Sequence, residues 1–441
     1  LTGQCMMPME IIHGINMKRL HHQYLWRSKC FQMALVHQIV EVNMTEKILP
    51  ENITFEKEFP KFKRRLRLGI VGGGRISQTQ AMAARLTNRW EVVAGAFSSD
   101  PKNSKRRAEE HFISDERAYS SFEEMAIKEA KRRDRIDAVM ITTPNHLHHE
   151  VAKVFIEAGI DVICDKPLTN ATPEAEMLED LLSKGNVNFC VCYTMSCFPM
   201  VRQAREFVTA GKIGNINQIH VEFLQDWMVP EEALLAPHVK WRLDPKISGP
   251  TSCVGDIGTH AAHLAQFVSS LKLTDVKAEF HVCGAPKALE DTAFMMTRYE
   301  GGVPGTLLAT RLATGKRGGL NLRIYGSEGG IEWNLESSEE LKLSVYGKPD
   351  QTISRGHGHG VSSDTERLVR TARGFSEGII EAWANLYSEF AIAVAARLDE
   401  KELPKNLLSF PTISEGVAGV RFIEASVLSN SKGGTWIPIN G

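Results

Sequence analysis

Gly69-Ile70-Val71-Gly72-Gly73-Gly74-Arg75-Ile76-Ser77 closes an apolar run that starts at Leu66 and opens onto a segment with apolar residues at helical spacing. A strand ending in such a turn is how a dinucleotide site begins. Gly72 permits the tight strand-to-helix turn, and Gly74 lets the backbone approach a pyrophosphate. The helix that follows directs its free N–H groups and positive dipole end at the phosphates. Ser77 stands where the G-x-G-x-x-G pattern has its third glycine, and is small enough to pack against the strand.

Working outward, a helix over 78–90 and a strand over Glu91–Phe97 complete the βαβ unit that the glycine turn requires. The alternation continues with helices over about 101–112, Phe122–Ala130, 146–158 and 173–184, and with strands Asp137–Thr143, Ile160–Cys164 and Asn188–Tyr193. Such alternation predicts an N-terminal Rossmann domain, a doubly wound parallel sheet whose ligands sit at the carboxyl ends of the strands. Gly72, Gly74, Arg75, Ile76, Ser98, Thr143, Pro144, Asn145, His148, Asp165 and Lys166 fall at or beside those ends and are the candidate cofactor contacts.

Past residue 200 the pattern changes. A helix over 200–211 leads into strand-like runs at Asn217–Trp227, Val276–Cys283, Thr292–Tyr299, Gly305–Leu312, Leu320–Tyr325, Ile331–Asn334 and Leu341–Tyr346. The turns Glu300-Gly301-Gly302 and Ser327-Glu328-Gly329-Gly330 join neighbours as hairpins, so a large, mostly antiparallel open sheet is expected. Helices near 258–270 and 377–397 are expected to cover one of its faces. The α/β chain is thus divided into a leader (1–60), a Rossmann domain (61–193) and a C-terminal domain (194–441). The leader lacks periodicity upstream of Met44, so Met44 is the expected natural start, with a disordered or read-through segment before it.

Composition narrows the function. With 52 Lys+Arg against 53 Asp+Glu, no global field favours nucleic acid or an anionic membrane. No run of about 18 apolar residues appears, which excludes a plain bilayer span. The 8 cysteines form no framework, and Cys190-Val191-Cys192 lacks a partner pair for zinc, so buried free thiols in a reducing cytoplasm are expected. Arg355-Gly356-His357-Gly358-His359-Gly360 has two histidines without a carboxylate or cysteine in register, and reads as a loop rather than a metal site.

Two clusters carry chemistry. Asp165-Lys166-Pro167 ends a strand at the edge where nicotinamide chemistry takes place, and a residue before proline is held extended, which aims the ammonium. Gly255-Asp256-Ile257-Gly258-Thr259-His260-Ala261-Ala262-His263 places Asp256 and His260 four apart, so on a regular helix they share a face and hydrogen-bond. Upstream, Trp241 and Arg242 are candidate substrate contacts, an aromatic face and a fork of donors. Tyr193 and His263 complete the candidate substrate contacts.

The order and spacing of Gly72-Gly73-Gly74-Arg75, Thr143-Pro144-Asn145-His146-Leu147-His148, Asp165-Lys166-Pro167 and Gly255–His260 resemble the Gfo/Idh/MocA family of sugar and inositol oxidoreductases, from about residue 66 to 439. The resemblance implies NAD(P)-linked oxidation of a sugar or polyol hydroxyl by a homo-oligomer, a dimer or tetramer, with 194–441 as the substrate-binding and oligomerisation domain, Trp241 stacking on a sugar face and Arg242 holding hydroxyls or a carboxylate. It matches the family lysine to Lys166 and its Asp-x-x-x-His pair to Asp256 and His260, while Asp165 replaces the usual glutamate. His260 would take the hydroxyl proton, Lys166 would steady the oxygen, and Asp256 would orient the imidazole or a neighbouring hydroxyl. NAD is placed slightly ahead of NADP because no arginine directly follows Ser98. Two other readings stay open: an NAD-dependent glycosidase working by transient oxidation, and a non-catalytic nucleotide-sensing regulator.

Overall fold

The strand Leu66–Val71 (β1) is buried at every position except the partly covered Arg67, as a strand with helices on both faces must be. Trp90–Ala96 (β2), Ala138–Ile141 (β3), Asp161–Cys164 (β4) and Phe189–Val191 (β5) join it in a parallel sheet of order β2-β1-β3-β4-β5. Arg75–Leu86 (α1), Pro101–Glu110 (α2), Phe122–Ala130 (α3), His148–Glu157 (α4) and Thr172–Ser183 (α5) are the intervening helices. The order reverses between β1 and β3, which opens a crevice at their carboxyl ends. One expectation shifts here: α1 begins at Arg75 directly on the glycine turn, and Asn88 at φ 56° turns the chain so that Trp90 opens β2 instead of ending the helix. The computed structural model describes residues 61–356, 361–403 and 408–439, so the expected leader and His357 and His359 lie outside the described residues.

Pro199–Thr209 (α6) leads to the second sheet, built from Ile216–Leu224 (β6), Leu273–His281 (β7), Thr292–Tyr299 (β8), Val303–Thr310 (β9), Gly319–Gly326 (β10), Gly329–Asn334 (β11), Glu340–Val345 (β12), Gln351–Ser354 (β13) and Ile437–Pro438 (β14). Its order is β13-β12-β11-β10-β6-β9-β8-β7-β14, antiparallel at each pairing except β6 with β9. Alternation sets its two faces: Ala293, Met295 and Thr297 of β8 point into the core, while Phe294 and Met296 are about half exposed on the other side. Thr259–Ser269 (α7) covers the inner face across β6 and β10.

The second expected cover does not lie there. Ile379–Leu398 (α8) packs on α1 of the first sheet's layer. The Trp90 indole N–H donates to the Tyr387 carbonyl at 2.9 Å, the Tyr387 hydroxyl reaches Gln80 Oε1 at 2.9 Å, and Trp90 stacks on Phe390. The reason is composition: α8 is apolar on most sides, so it is a core helix wedged between layers instead of a lid with one dry face. It is also long and apolar enough to cross a membrane by those measures, with a mean hydropathy of 1.2, but 72% of that stretch is buried inside the protein. Ile413–Ser431 (α9), for which no helix was expected, runs from β7 to α5. Gly416 and Gly419 weaken its helical signal, yet both are packing sites, since a Cβ on Gly419 would sit 2.0 Å from the Tyr193 hydroxyl. Through α8 and α9 one hydrophobic cluster runs continuously from β1 to β12.

Candidate active site

A cavity of about 1180 Å³ runs from the glycine turn to the inner face of the second sheet. Gly72 holds φ +112°, and a Cβ there would lie 2.7 Å from the Thr142 carbonyl, so the turn packs against the end of β3. A Cβ on Gly73 would come within 2.6 Å of the Phe97 carbonyl, a constraint that the sequence pattern leaves unmarked. Gly74 is different: it caps α1, and no atom lies within 4 Å of where its Cβ would be. That open cradle faces a helix N-terminus, and the buried Thr143 hydroxyl on the cavity wall has no hydrogen-bond partner among the described residues. Both features fit a dinucleotide. Arg75, Ile76, Ser98, Pro144 and Asn145 share the wall; Asn145 Nδ2 also donates to the Ser248 carbonyl at 3.1 Å, which ties β3's end to the second domain.

His148 borders the cavity too, but both ring nitrogens are engaged, Nδ1 with the Pro167 carbonyl at 2.8 Å and Nε2 with the Thr143 carbonyl at 2.9 Å. It therefore braces the two backbone segments that carry Thr143 and Lys166, and has no nitrogen left for a cofactor. Asp165 points back on its own chain and accepts from the Lys166 amide at 2.9 Å.

Lys166, Asp256 and His260 come together on the cavity wall, but in a different arrangement from the one expected. The Lys166 ammonium donates to Asp256 Oδ1 and to the Asp256 carbonyl, both at 2.6 Å. Arg311 takes the other carboxylate oxygen at 2.7 Å, and Arg242 Nε lies 4.0 Å from it. His260 donates no hydrogen bond to Asp256; its Nδ1 is enclosed without a partner among the described residues. The correction has two physical causes. Val254–Gly258 is a π-helical turn, which breaks the i, i+4 register, and cations already claim both carboxylate oxygens. Burial alone would raise the Asp256 carboxyl, but Lys166, Arg311 and Arg242 more than offset it and hold it well below the usual carboxylate range. Burial, followed by the Lys166 charge, drives His260 well below an ordinary imidazole, with Asp256 opposing, which favours the neutral ring.

Tyr193 and His263 are not on the cavity wall, so their candidacy as substrate contacts is corrected. They stack on each other with ring centroids 4.4 Å apart, and Tyr193 meets His260 edge-on at 5.9 Å. This aromatic layer backs His260 from behind. Trp241 and Arg242 do line the cavity, the guanidinium 4.3 Å over the indole. Sequence reasoning missed Trp383 and Ile379 of α8, which also border it, because that helix was assigned to another layer. It missed Arg311 as well; the available signal was a lone arginine inside an otherwise apolar strand run, Gly305–Leu312. Among the described residues, no group of three or more His, Cys, Asp or Glu is placed to hold a metal.

Residues 66–193 match the oxidoreductase family with an NAD-binding Rossmann fold, and residues 201–332 match the GFO/IDH/MocA C-terminal domain. The two in series define an NAD-binding oxidoreductase, a dehydrogenase by fold and site. The chain belongs to the Gfo/Idh/MocA family. It is similar to the uncharacterized oxidoreductase YfiI of Bacillus subtilis, 35% identical over 84% of this chain and 96% of that protein. It is 28% identical to levoglucosan dehydrogenase of Pseudarthrobacter phenanthrenivorans over 69% of this chain and 80% of that one. Among solved structures, an inositol dehydrogenase homolog complexed with NAD+ from Azotobacter vinelandii superposes with a TM-score of 0.81 at 31% identity, covering 86% of this chain and 99% of that one.

Proposed function

We propose that this chain oxidises a secondary alcohol of a sugar, inositol or related cyclic polyol with a nicotinamide dinucleotide as acceptor, or runs the reverse reduction. The observation that carries the reading is one cavity that begins at the Gly72–Gly74 cradle and ends at an ammonium and a neutral imidazole, Lys166 and His260. Bound dinucleotide would supply the hydride acceptor, held by the glycine turn with Thr143 beside it. In the oxidative direction His260 accepts the hydroxyl proton, for which the imidazole must be neutral. Lys166 donates a hydrogen bond to the same oxygen and opposes the charge that develops on it. Asp256 serves Lys166 rather than His260. Trp241 and Arg242 offer a flat apolar face and a fork of donors, which suits a ring bearing hydroxyls. The names of the inositol dehydrogenase and levoglucosan dehydrogenase relatives support the same substrate class.

Between the dinucleotides the reading puts NAD first, since no arginine directly follows Ser98, just past β2. Asp100 is turned away, capping α2 through the Lys102 amide at 3.0 Å, so NAD selection rests on Ser98 and Ser99 at the wall. The oligomeric state expected of the family, a homodimer or tetramer, belongs to the same reading. A panel of inositols, aldoses and anhydrosugars, assayed with NAD and with NADP by absorbance of the reduced nicotinamide, tests it. Turnover of a cyclic polyol or sugar is the expected result; binding of cofactor without oxidation of any member would overturn the reading.

A further inference from the structure

Arg311 directly follows β9 and is fully buried, yet it does not reach the cavity wall. A buried guanidinium needs its donors matched, and here the oxygen acceptors all lie on one short segment, while Nη1 also meets Met228 Sδ at 3.7 Å and Nε has no partner among the described residues. Nη1 donates to the Ser252 hydroxyl at 2.6 Å, and Nη2 donates to the Ser252 carbonyl at 2.9 Å and to Asp256 Oδ2 at 2.7 Å. Glu290 grips the same segment from the other side, accepting the Ser252 amide at 3.0 Å and the Val254 amide at 2.9 Å. The backbone of Arg311 is itself fixed, its amide bonded to the Asp291 carbonyl at 3.0 Å. The segment leading into the π-helical turn is therefore clamped between β9's end and the residues before β8.

We propose that Arg311 is a positioning residue of the reaction: by holding Asp256 Oδ2 it fixes the carboxylate whose other oxygen aims the Lys166 ammonium, and so commits Asp256 to Lys166 instead of His260. This rests on the alcohol-oxidation reading above. A lysine ammonium has three donors, and two go to Asp256 Oδ1 and the Asp256 carbonyl. One N–H remains for a substrate oxygen, and its direction is set by how Asp256 is held. A carboxylate anchored at one oxygen only could rotate about its χ2 axis, which is broad for aspartate, and carry Lys166 with it. Arg311 removes that freedom. Arg242, at 4.0 Å, is too far to do the same.

The charged groups around Asp256 are Lys166, Arg242 and Arg311, with Asp165, Glu290 and Asp291 on neighbouring segments, Asp291 being paired with Lys287 at 2.6 Å, and His260 facing from α7. Arg311 lowers Asp256 directly, whereas His260 is set by burial, Lys166, Asp256 and His263; losing Arg311 favours the protonated carboxyl and frees an ionised Asp256 to approach the imidazole, so the acid limb of the rate profile moves to higher pH.

The test compares Arg311→Met, which keeps the stem and loses the charge, with Arg311→Lys, which keeps a charge and loses the fork. For Arg311→Met we expect kcat down at least about tenfold with cofactor affinity within about twofold, an acid limb displaced upward, and a higher titration midpoint for His260 by NMR of histidine-labelled protein. Arg311→Lys should show a limb close to that of the unsubstituted protein and a kcat reduced severalfold. A folded Arg311→Met protein with unchanged kcat and unchanged His260 midpoint would overturn the proposal. Should Arg311→Met not fold, Arg311→Lys decides it: kcat within about twofold of the unsubstituted protein sinks the idea, and a severalfold loss at unchanged cofactor affinity supports it. The NMR midpoint needs no turnover, so failure of the substrate panel and failure of the Arg311 assignment are separate results.

Discussion

Replacing Gly74 by valine separates the fold's need for the glycine turn from the cofactor's need for it. Gly74 sits at φ −76° and ψ 174°, extended backbone open to any residue, and no atom lies within 4 Å of the added Cβ. The protein should therefore fold, and the lost flexibility of the unfolded chain should stabilise it by about 0.5 kcal/mol. That space is where a pyrophosphate must meet the start of α1, and branched carbons would fill it. Loss of this approach should weaken dinucleotide binding about a hundredfold or more, close to 2.7 kcal/mol. Gly72→Ala makes the opposite case. Its φ of +112° and a contact of 2.7 Å with the Thr142 carbonyl penalise any Cβ. Backbone strain of about 1–3 kcal/mol and overpacking of similar size predict a Tm lower by several degrees. Calorimetric titration with NAD and thermal unfolding of both variants give the four numbers needed. A Gly74→Val protein that binds NAD with unchanged affinity would refute the cradle, and a Gly72→Ala protein with unchanged Tm would refute the packing argument.

Further outcomes follow from the same geometry. Lys166→Met should lower kcat/KM by about a hundredfold, near 3 kcal/mol, with cofactor affinity within a few fold; steady-state kinetics beside a binding titration measure both, and equal activity would remove Lys166 from the mechanism. His260→Asn should cut turnover by about a hundredfold. Because burial and Lys166 lower the His260 value below the 6.5 of a free imidazole, the base is neutral at and above that pH, and oxidation should fall only as pH drops well under it. A limb in kcat/KM at 6.5 would show that His260 is not the buried base described here. Tyr193→Phe should leave kcat and KM within about twofold, since its ring lies behind the wall, and a large rise in KM would return Tyr193 to the substrate contacts.

The first sheet was legible because each of its signals is local. A glycine turn, an apolar run of about five residues and a helix with one dry face each announce themselves within a dozen positions, and right-handed crossover connections leave little choice of order. Helix boundaries slipped where a single residue decides them, as at Asn88. The assignment of α8 to the wrong layer had a different origin: its apolar residues show that it is buried, and nothing local shows against what. The pair Asp256 and His260 was inferred from spacing, which holds only in a regular helix. The π turn removes that premise, and the partners that win, Lys166 and Arg311, lie 90 and 55 residues away. Nothing local marks that Tyr193 turns inward, since the room for its hydroxyl is made by Gly419 on α9, more than two hundred residues on.

The charge arrangement explains why, in the proposed reaction, a carboxylate beside Lys166 does not cancel its charge. An ammonium paired to one carboxylate would present a nearly neutral dipole to the reacting oxygen, and a weak field there is worth little in catalysis. Around Asp256, however, stand three cations, Lys166, Arg242 and Arg311, to one carboxylate. The neighbouring carboxyls Asp165 and Glu290 are both pushed upward by burial, which weakens the negative charge they set against these cations. The wall of the cavity at Lys166 thus stays electropositive although its ammonium is tied down. Burial, with the Lys166 charge behind it, keeps His260 from protonating, so in the proposed reaction the base is emptied in part by the same ammonium that stabilises the oxygen losing its proton. Fixed charge and mobile proton are divided between separate side chains, which is why an Asp256–His260 bond would work against this site: it would draw a proton onto the imidazole that the reaction needs neutral.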